Sequence, residues 1–325
     1  MKKLMIYGAT GYMGRMAAKY AAAQGLDIVV AGRNKDRLRT LAAQLNVSYR
    51  TFTPDALTPE TLNGVAVLLN FAGPFAHTAN ALMQACIKAG VDYLDITAEI
   101  KVYELADRLG AEAATSGVML LPGVGWDVVP TDCLAVHVAS RVQAPQSINI
   151  ALQVGGSMSR GSALSVNEII GAGLLARIDG VLVATPAAQP RSFDFGDGLQ
   201  VCAPLSFGDL ITSWHSTGIP NVSMFVHFSG DPIPEGDISM LPEGPDVQQR
   251  EAHRARAVAE VTCADGTTAR SVIETVNGYT YTLLAAVEAA RRVLAGERRP
   301  GFETPAKLLG VGFAGSIAGT TITDL

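Results

Sequence analysis

Leu4-Met5-Ile6-Tyr7-Gly8-Ala9-Thr10-Gly11-Tyr12-Met13-Gly14 stands at the start of the 325-residue sequence, and how it is read decides the fold. Four apolar residues in a row are too few for a globular helix and suit a strand buried on both faces. Residues 12–24 then carry apolar side chains at three- and four-residue spacing, the period of a helix. Glycines at 8, 11 and 14 fill the turn between them. A strand that turns through glycines into a helix leaves backbone N–H groups at the helix's positive end, and no Cβ atom keeps an anion from reaching them. The spacing Gly-x-x-Gly-x-x-Gly is one residue longer between its first two glycines than the commonest dinucleotide fingerprint, and in this setting it predicts a pyrophosphate cradle. A nucleoside-triphosphate loop is excluded, because no glycine in the chain is followed by lysine.

The same alternation continues outward from this turn. Strands are expected at 4–7, 28–31, 47–51, 67–71, 93–96 and 118–121, and helices at 12–24, 35–45, 77–89, 100–116 and 131–141. Six strands with intervening helices predict an α/β chain with a Rossmann-type doubly wound parallel sheet. The second strand ends Val30-Ala31-Gly32-Arg33-Asn34, with small residues where an acid would bind the ribose 2′-hydroxyl of NAD and a guanidinium beside them. Arg33 can hold a 2′-phosphate through two parallel N–H donors, so the expected cofactor is NADP(H). Lys35 and Arg37 add positive charge nearby, partly offset by Asp36. The fourth strand runs into Asn70-Phe71-Ala72-Gly73-Pro74, a loop that the carboxyl-edge rule of open parallel sheets places at the ligand. The expected cofactor contacts are therefore Gly8, Thr10, Gly11, Tyr12, Met13, Gly14, Arg33, Asn34, Asn70, Phe71, Ala72, Gly73 and Pro74.

After residue 142 the period changes to two, with Ile148, Ile150, Leu152 and Val154 alternating with more polar neighbours. Further strands are expected at 191–203, 221–228, 257–264 and 268–275, and a helix at about 163–178 after the loop Ser159-Arg160-Gly161-Ser162. A long helix at 280–296 follows, with Arg291, Arg292 and Arg298 read as solvated charges at its end. The division expected is a dinucleotide-binding domain at 1–142, an inserted mixed α+β substrate or dimerisation domain at 143–278, and a helix and tail at 279–325 returning toward the first. An exposed sheet face in the second domain is the expected homodimer interface.

Composition narrows the class. A net charge of −5 supplies no general cationic field for nucleic acid or anionic membranes. The cysteines at 86, 133, 202 and 263 are too scattered for a disulfide framework or a Cys-x-x-Cys pair, and no apolar run makes a membrane span or a leader peptide. A cytoplasmic protein is expected. His77, His137, His215, His227 and His253 show no ligand spacing, so no metal is expected.

Several stretches together resemble the saccharopine dehydrogenase-like oxidoreductases, the group that includes saccharopine reductases and the trans-acting enoyl reductases of lipid biosynthesis. They are GATGYMG at 8–14 with Ala31-Gly32-Arg33, AGPF at 72–75, AGVDYLDITAE at 89–99, PGVGWDVVPTD at 122–132, SRGS at 159–162, STGIPNV at 216–222 and TPA at 304–306. Ala98 stands where that group usually has glycine, and Trp126 and Val128 where phenylalanine and serine are common. The resemblance implies an NADP-binding oxidoreductase with an inserted mixed-sheet domain and a C-terminal helix packed near the first domain.

Chemistry beyond cofactor binding is less sharply marked. No tyrosine has lysine four residues later, which excludes the short-chain dehydrogenase proton donor. Asp95 and Glu99 at the end of the fifth strand, and Asp127 after the sixth, are the candidate catalytic acids, each also placed to cap a following helix. Arg160 and Ser162, before an expected helix N-terminus, are candidates for an anionic substrate group. The expected function is an NADP(H)-dependent reductase or dehydrogenase acting on a small carbonyl, imine or activated alkene. The alternative is a catalytically silent NADP(H) sensor.

Overall fold

The computed structural model describes residues 2–229 and 237–325, which gather into two compact units. The first unit comprises the chain up to Thr97, then Lys101–Gly125 and Thr282–Glu303; the second comprises Ala98–Ile100, Trp126–Tyr281 and Thr304–Leu325. In chain order the elements begin with β1 (Lys3–Tyr7), α1 (Tyr12–Ala23), β2 (Ile28–Gly32), α2 (Lys35–Leu45), β3 (Ser48–Thr51), β4 (Val65–Asn70), α3 (Ala79–Ala89), β5 (Asp92–Asp95), α4 (Ile100–Thr115) and β6 (Met119–Leu121). The second unit continues with α5 (Val129–Ala139), β7 (Pro145–Val154), α6 (Arg160–Gly171), β8 (Leu175–Ile178), β9 (Val181–Ala184), β10 (Arg191–Asp194), β11 (Leu199–Pro204), α7 (Asp209–Thr217) and β12 (Asn221–Phe228). Then come α8 (Val247–Glu251), β13 (Ala255–Cys263), β14 (Thr268–Thr275), α9 (Gly278–Leu294), β15 (Gly301–Phe302), α10 (Pro305–Leu309), α11 (Phe313–Ser316) and β16 (Thr321–Asp324).

In the first unit seven strands pair in parallel in the order β15-β6-β5-β4-β1-β2-β3. Order reverses between β1 and β4, the switch point at which open sheets of this kind leave a crevice for ligands. Strands β1, β2 and β4 are almost wholly apolar because both faces are covered, and Met5, Val29, Leu68, Tyr93 and Leu120 join Leu82, Met83 and Val102 of the helices in one core. The seventh strand was not expected. Gly301 and Phe302 align with Met119 and Leu120, and Gly110 of α4 permits the approach, since a Cβ there would lie 3.1 Å from the Cβ of Phe302. Arg298 fixes the same segment by donating from Nε to Asp92 Oδ2 at 2.5 Å, so it is a structural partner of a buried acid and not a solvated charge. Arg291 and Arg292 pair locally with Glu288 and Glu297.

The second unit is built on a mixed sheet in the order β10-β11-β12-β7-β13-β14-β16, with β8 paired to β12 and β9 to β8. Helix α5 packs on β7, β13 and β14. Of the alternating residues, Ile150, Leu152, Ala257, Ala259 and Ile273 share one face, and Ala151, Phe225, Val258 and Val272 the other. The β10-β11 hairpin packs on that second face. Phe193, Phe195 and Cys202 complete its core, and Arg191 with Glu260 and Asp197 with Arg256 pin the hairpin down by ion pairs.

Other expectations also shift. The boundary set at 142 falls inside the second unit, whose main segment begins at Trp126. Residues 279–325 divide between the units: 282–303 belong to the first, while α10, α11 and β16 belong to the second, with β16 pairing β14. The helix expected at 163–178 spans Arg160–Gly171, because Gly171 and Gly173 end it and 175–178 is a strand. Among the described residues no helix is long and apolar enough to cross a membrane.

Candidate functional site

The glycine turn takes the shape its spacing demands. Gly8 has φ +78°, a conformation glycine adopts without strain, and its N–H and that of Ala9 both donate to the Ala31 carbonyl at 2.9 and 3.1 Å. A Cβ on Gly8 would lie 2.8 Å from the Ala72 nitrogen, and one on Gly14 only 2.2 Å from the Gly8 carbonyl oxygen. Gly11 is the N-cap of α1 and offers no side-chain acceptor, so the helix's first N–H groups are not closed off by a cap. Thr10, Tyr12 and Met13 are half-buried around this turn. This backbone fits an anionic diphosphate: its glycines give close approach, and its donors sit at the positive end of a helix. Arg33 is exposed at the end of β2, close enough for its charge to act on Tyr7, whose hydroxyl burial pushes up to about 12. Asn34 caps α2 by accepting from the Arg37 N–H at 3.0 Å, a structural use of a residue expected to face cofactor.

The loop after β4 is held by a buried polar network. Asn70 accepts from the Ala72 N–H at 2.8 Å and donates to Thr78 Oγ1 at 3.2 Å and Tyr93 Oη at 3.1 Å. Thr78 in turn donates to the Ala72 carbonyl at 2.8 Å. Tyr93 donates to Asp95 Oδ2 at 2.8 Å, and Asp95 Oδ1 accepts from the Thr97 and Gly123 N–H groups at 3.0 and 2.9 Å. Burial, reinforced by the Asp95 charge, pushes the Tyr93 hydroxyl well above its ordinary range. Asn70 thus shapes the Phe71-Ala72-Gly73-Pro74 loop through its side chain, and Asp95 ties the loops after β5 and β6 together. Both carboxylate oxygens of Asp95 are engaged and none of its surface is exposed, so in this structure it serves as a tether between loops.

Glu99 is similarly committed. It is buried, accepts from Ser165 Oγ at 2.8 Å, and its backbone bridges to Phe207. The loop expected to bind an anionic substrate group is fastened to distant parts of the second unit. Arg160 donates from Nε and Nη2 to the Leu241 carbonyl at 3.1 and 2.7 Å. Ser159 caps α6 through the Ser162 N–H, and Tyr279 donates to Ser162 Oγ at 3.1 Å. Asp127 differs from the other acids: it is half-buried, does not cap α5, whose N-cap is Val128, and burial pushes its carboxyl up to about 6.

Two acids escaped the sequence reading. Asp132 on α5 and Asp209 at the start of α7 are both fully buried. Burial pushes Asp132 up to about 6 and Asp209 well above the carboxylate range, with the neighbouring charges of Asp132 and Asp127 adding to the rise at Asp209. A signal for Asp132 existed. Helix α5 reads VPTDCLAVHVA, apolar on every side, and an aspartate within such a helix is buried wherever it points. Among the described residues no group of His, Cys, Asp and Glu is arranged to hold a metal ion, and the four cysteines are buried thiols outside any disulfide.

Comparison with known proteins agrees with this geometry. Residues 4–121 match the family model of the saccharopine dehydrogenase NADP binding domain. A Mycobacterium tuberculosis protein provisionally named a trans-acting enoyl reductase is 31% identical over 183 residues, 51% of this chain and 44% of its own. The trans-acting enoyl reductase of Mycobacterium leprae is 32% identical over 149 residues, covering 43% of this chain and 36% of its own. The chain therefore spans less than half the length of these relatives. In fold it is similar to apo saccharopine dehydrogenase (L-glutamate-forming) of Saccharomyces cerevisiae, with a TM-score of 0.66, 14% identity and full coverage of both chains. The opening segment thus matches the saccharopine dehydrogenase NADP binding domain, and the chain as a whole shares the fold of saccharopine dehydrogenase.

Proposed function

We propose that this chain is an NADP(H)-dependent reductase of a small carbonyl-conjugated alkene. The observation that carries the cofactor choice is the end of β2, where Gly32 and an exposed Arg33 stand in place of an acid. A carboxylate there would repel a 2′-phosphate, whereas a guanidinium binds it through charge-assisted hydrogen bonds. A cavity of about 350 Å³ lined by Thr10, Arg15, Asp36, Arg37, Thr40 and Gln44 lies beside the same turn, and its two guanidinium groups outnumber its one carboxylate.

Bound NADPH supplies the hydride. The protein's tasks are to hold the diphosphate on the glycine turn, to keep the loops after β4, β5 and β6 in register through Asn70, Tyr93 and Asp95, and to deliver a proton. Asp127 is the residue for the last task, because it is the sequence-predicted acid whose carboxyl lies near neutrality and is not tied into the loop network. The names of the mycobacterial relatives favour an enoyl substrate, in which hydride goes to the β-carbon and the proton to the α-carbon. Calorimetric titration with NADPH and NADH, followed by NADPH oxidation with a crotonyl thioester, tests the proposal. Tighter binding of NADPH and turnover of the thioester are expected; equal affinity for the two cofactors overturns the cofactor assignment, and tight binding without oxidation of carbonyl, imine or enoyl substrates overturns the reductase.

A further inference from the structure

The cavity beside the glycine turn has walls from two helices of the first unit, α1 and α2, which touch each other. Thr10 and Arg15 line it from the turn and from the first turn of α1. Arg37, Thr40, Leu41 and Gln44 stand at i, i+3, i+4 and i+7 of α2, so one face of that helix forms the opposite wall. Two guanidinium groups therefore border a single cavity from different helices. Arg15 is kept at the turn by donating from Nη1 to the Thr10 carbonyl at 3.5 Å, and the Arg37 N–H is fixed at the start of α2 by donating to Asn34 Oδ1 at 3.0 Å. The one carboxylate of the lining, Asp36, pairs at 3.0 Å with Arg39, which lies outside it. The lining thus carries an excess of positive charge, on planar donors whose fork matches phosphate oxygens. Like charges bordering one cavity repel, and an anion between them turns that repulsion into attraction.

We propose that Arg15 and Arg37 form a clamp, one arm from each helix, that closes on the 2′-phosphate of the coenzyme's adenosine ribose beside Arg33. The proposal rests on the reading of the chain as NADP(H)-dependent and names two further residues that set the preference. Position supports it: the cavity adjoins the glycine turn through Thr10 and the start of α2 through Arg37, and Arg33 ends the connection between β2 and that helix. Charge supports it as well. A phosphate monoester carries about −1.5 to −2 at neutral pH and three acceptor oxygens, more than one guanidinium neutralises or fills. NADH carries a neutral hydroxyl at the same place, so the clamp gives it no advantage. Asp36 acts against the phosphate, and its pairing with Arg39 weakens that opposition.

Calorimetry of the whole protein with adenosine 2′,5′-bisphosphate, adenosine 5′-monophosphate and inorganic phosphate tests the clamp without a substrate. The wild type is expected to bind the bisphosphate at least about tenfold more tightly than the monophosphate, and Arg15→Gln and Arg37→Gln each to lose about tenfold for the bisphosphate alone. Asp36→Asn is expected to act in the opposite direction, tightening the bisphosphate about twofold and leaving the monophosphate unchanged. Unchanged bisphosphate binding in either arginine variant overturns the clamp; where Arg33→Ala still abolishes the preference, the coenzyme assignment stands on Arg33. Equal losses for both nucleotides also overturn the clamp, because a distorted glycine turn produces them. Inorganic phosphate binding as tightly as the bisphosphate overturns it too, since the cavity then takes any anion. If an arginine variant does not fold, Asp36→Asn decides, and unchanged or weaker bisphosphate binding there overturns the clamp. Equal affinity of the wild type for the two nucleotides overturns the NADP(H) reading and the clamp together.

Discussion

Arg33 illustrates how one side chain sets a preference at an exposed site. Hydrogen bonds to charged groups contribute about 1.5–3 kcal/mol, so Arg33→Ala is expected to weaken NADPH binding by roughly 10- to 100-fold and leave NADH binding nearly unchanged. Calorimetry with both cofactors measures it. Asp95 and Asp127 provide the opposite pair of outcomes. Asp95→Ala leaves the buried Thr97 and Gly123 N–H groups and the Tyr93 hydroxyl without their acceptor, and a loss of about 2–4 kcal/mol in urea unfolding is expected. Asp127→Asn keeps that stability and is expected to reduce NADPH oxidation at least 100-fold. A stability loss in Asp127→Asn matching that of Asp95→Ala would show that the two acids share a structural role.

At the scale of elements the turn from β1 into α1 is the most constrained. Substituting alanine at Gly14 drives a Cβ to 2.2 Å from the Gly8 carbonyl, and backbone cannot yield as the tip of a side chain can. At Gly11 the same atom would meet the same oxygen at 3.3 Å. Gly14→Ala is therefore expected to cost about 1–3 kcal/mol by overpacking and to weaken NADPH binding, while Gly11→Ala changes stability little. Thermal melting with and without NADPH distinguishes them. The hairpin of β10 and β11 is the counterpart in the second unit, an element whose aromatic residues the sequence announces but whose placement over its own sheet depends on ion pairs far apart in the chain.

For the molecule as a whole, the buried aspartates set an unusual dependence on pH. Their folded-state affinity for protons exceeds the unfolded one, so the stability they contribute is fully present below pH 3.8 and is lost as pH rises through about 6 for Asp127 and Asp132, and higher for Asp209. The rise at Asp132 from 3.8 to about 6 corresponds to on the order of 3 kcal/mol. Asp132→Asn keeps the acceptor for Ala306 and removes the charge, so it is expected to raise the melting temperature at pH 8 and to have little effect near pH 4. A larger gain at acid than at alkaline pH would show that Asp132 is ionised in the fold throughout.

The glycine turn, the alternation of strands and helices, the replacement of an acid by Arg33 and the change of period near residue 142 are local patterns. Each depends on neighbours within one element or one turn, and the amino-acid order determined them without further help. Tertiary structure alone decided what long-range packing controls. It aligned Gly301 and Phe302 with β6 across some 180 residues of chain, packed a hairpin onto one face of the second sheet, and engaged Asp95 and Arg160 in hydrogen bonds. It also enclosed Asp209 behind α5. The reason is physical: a residue's type states what it can bond, but desolvation and partner geometry, which set whether an aspartate is a tether, a cap or an acid, exist only once distant segments meet.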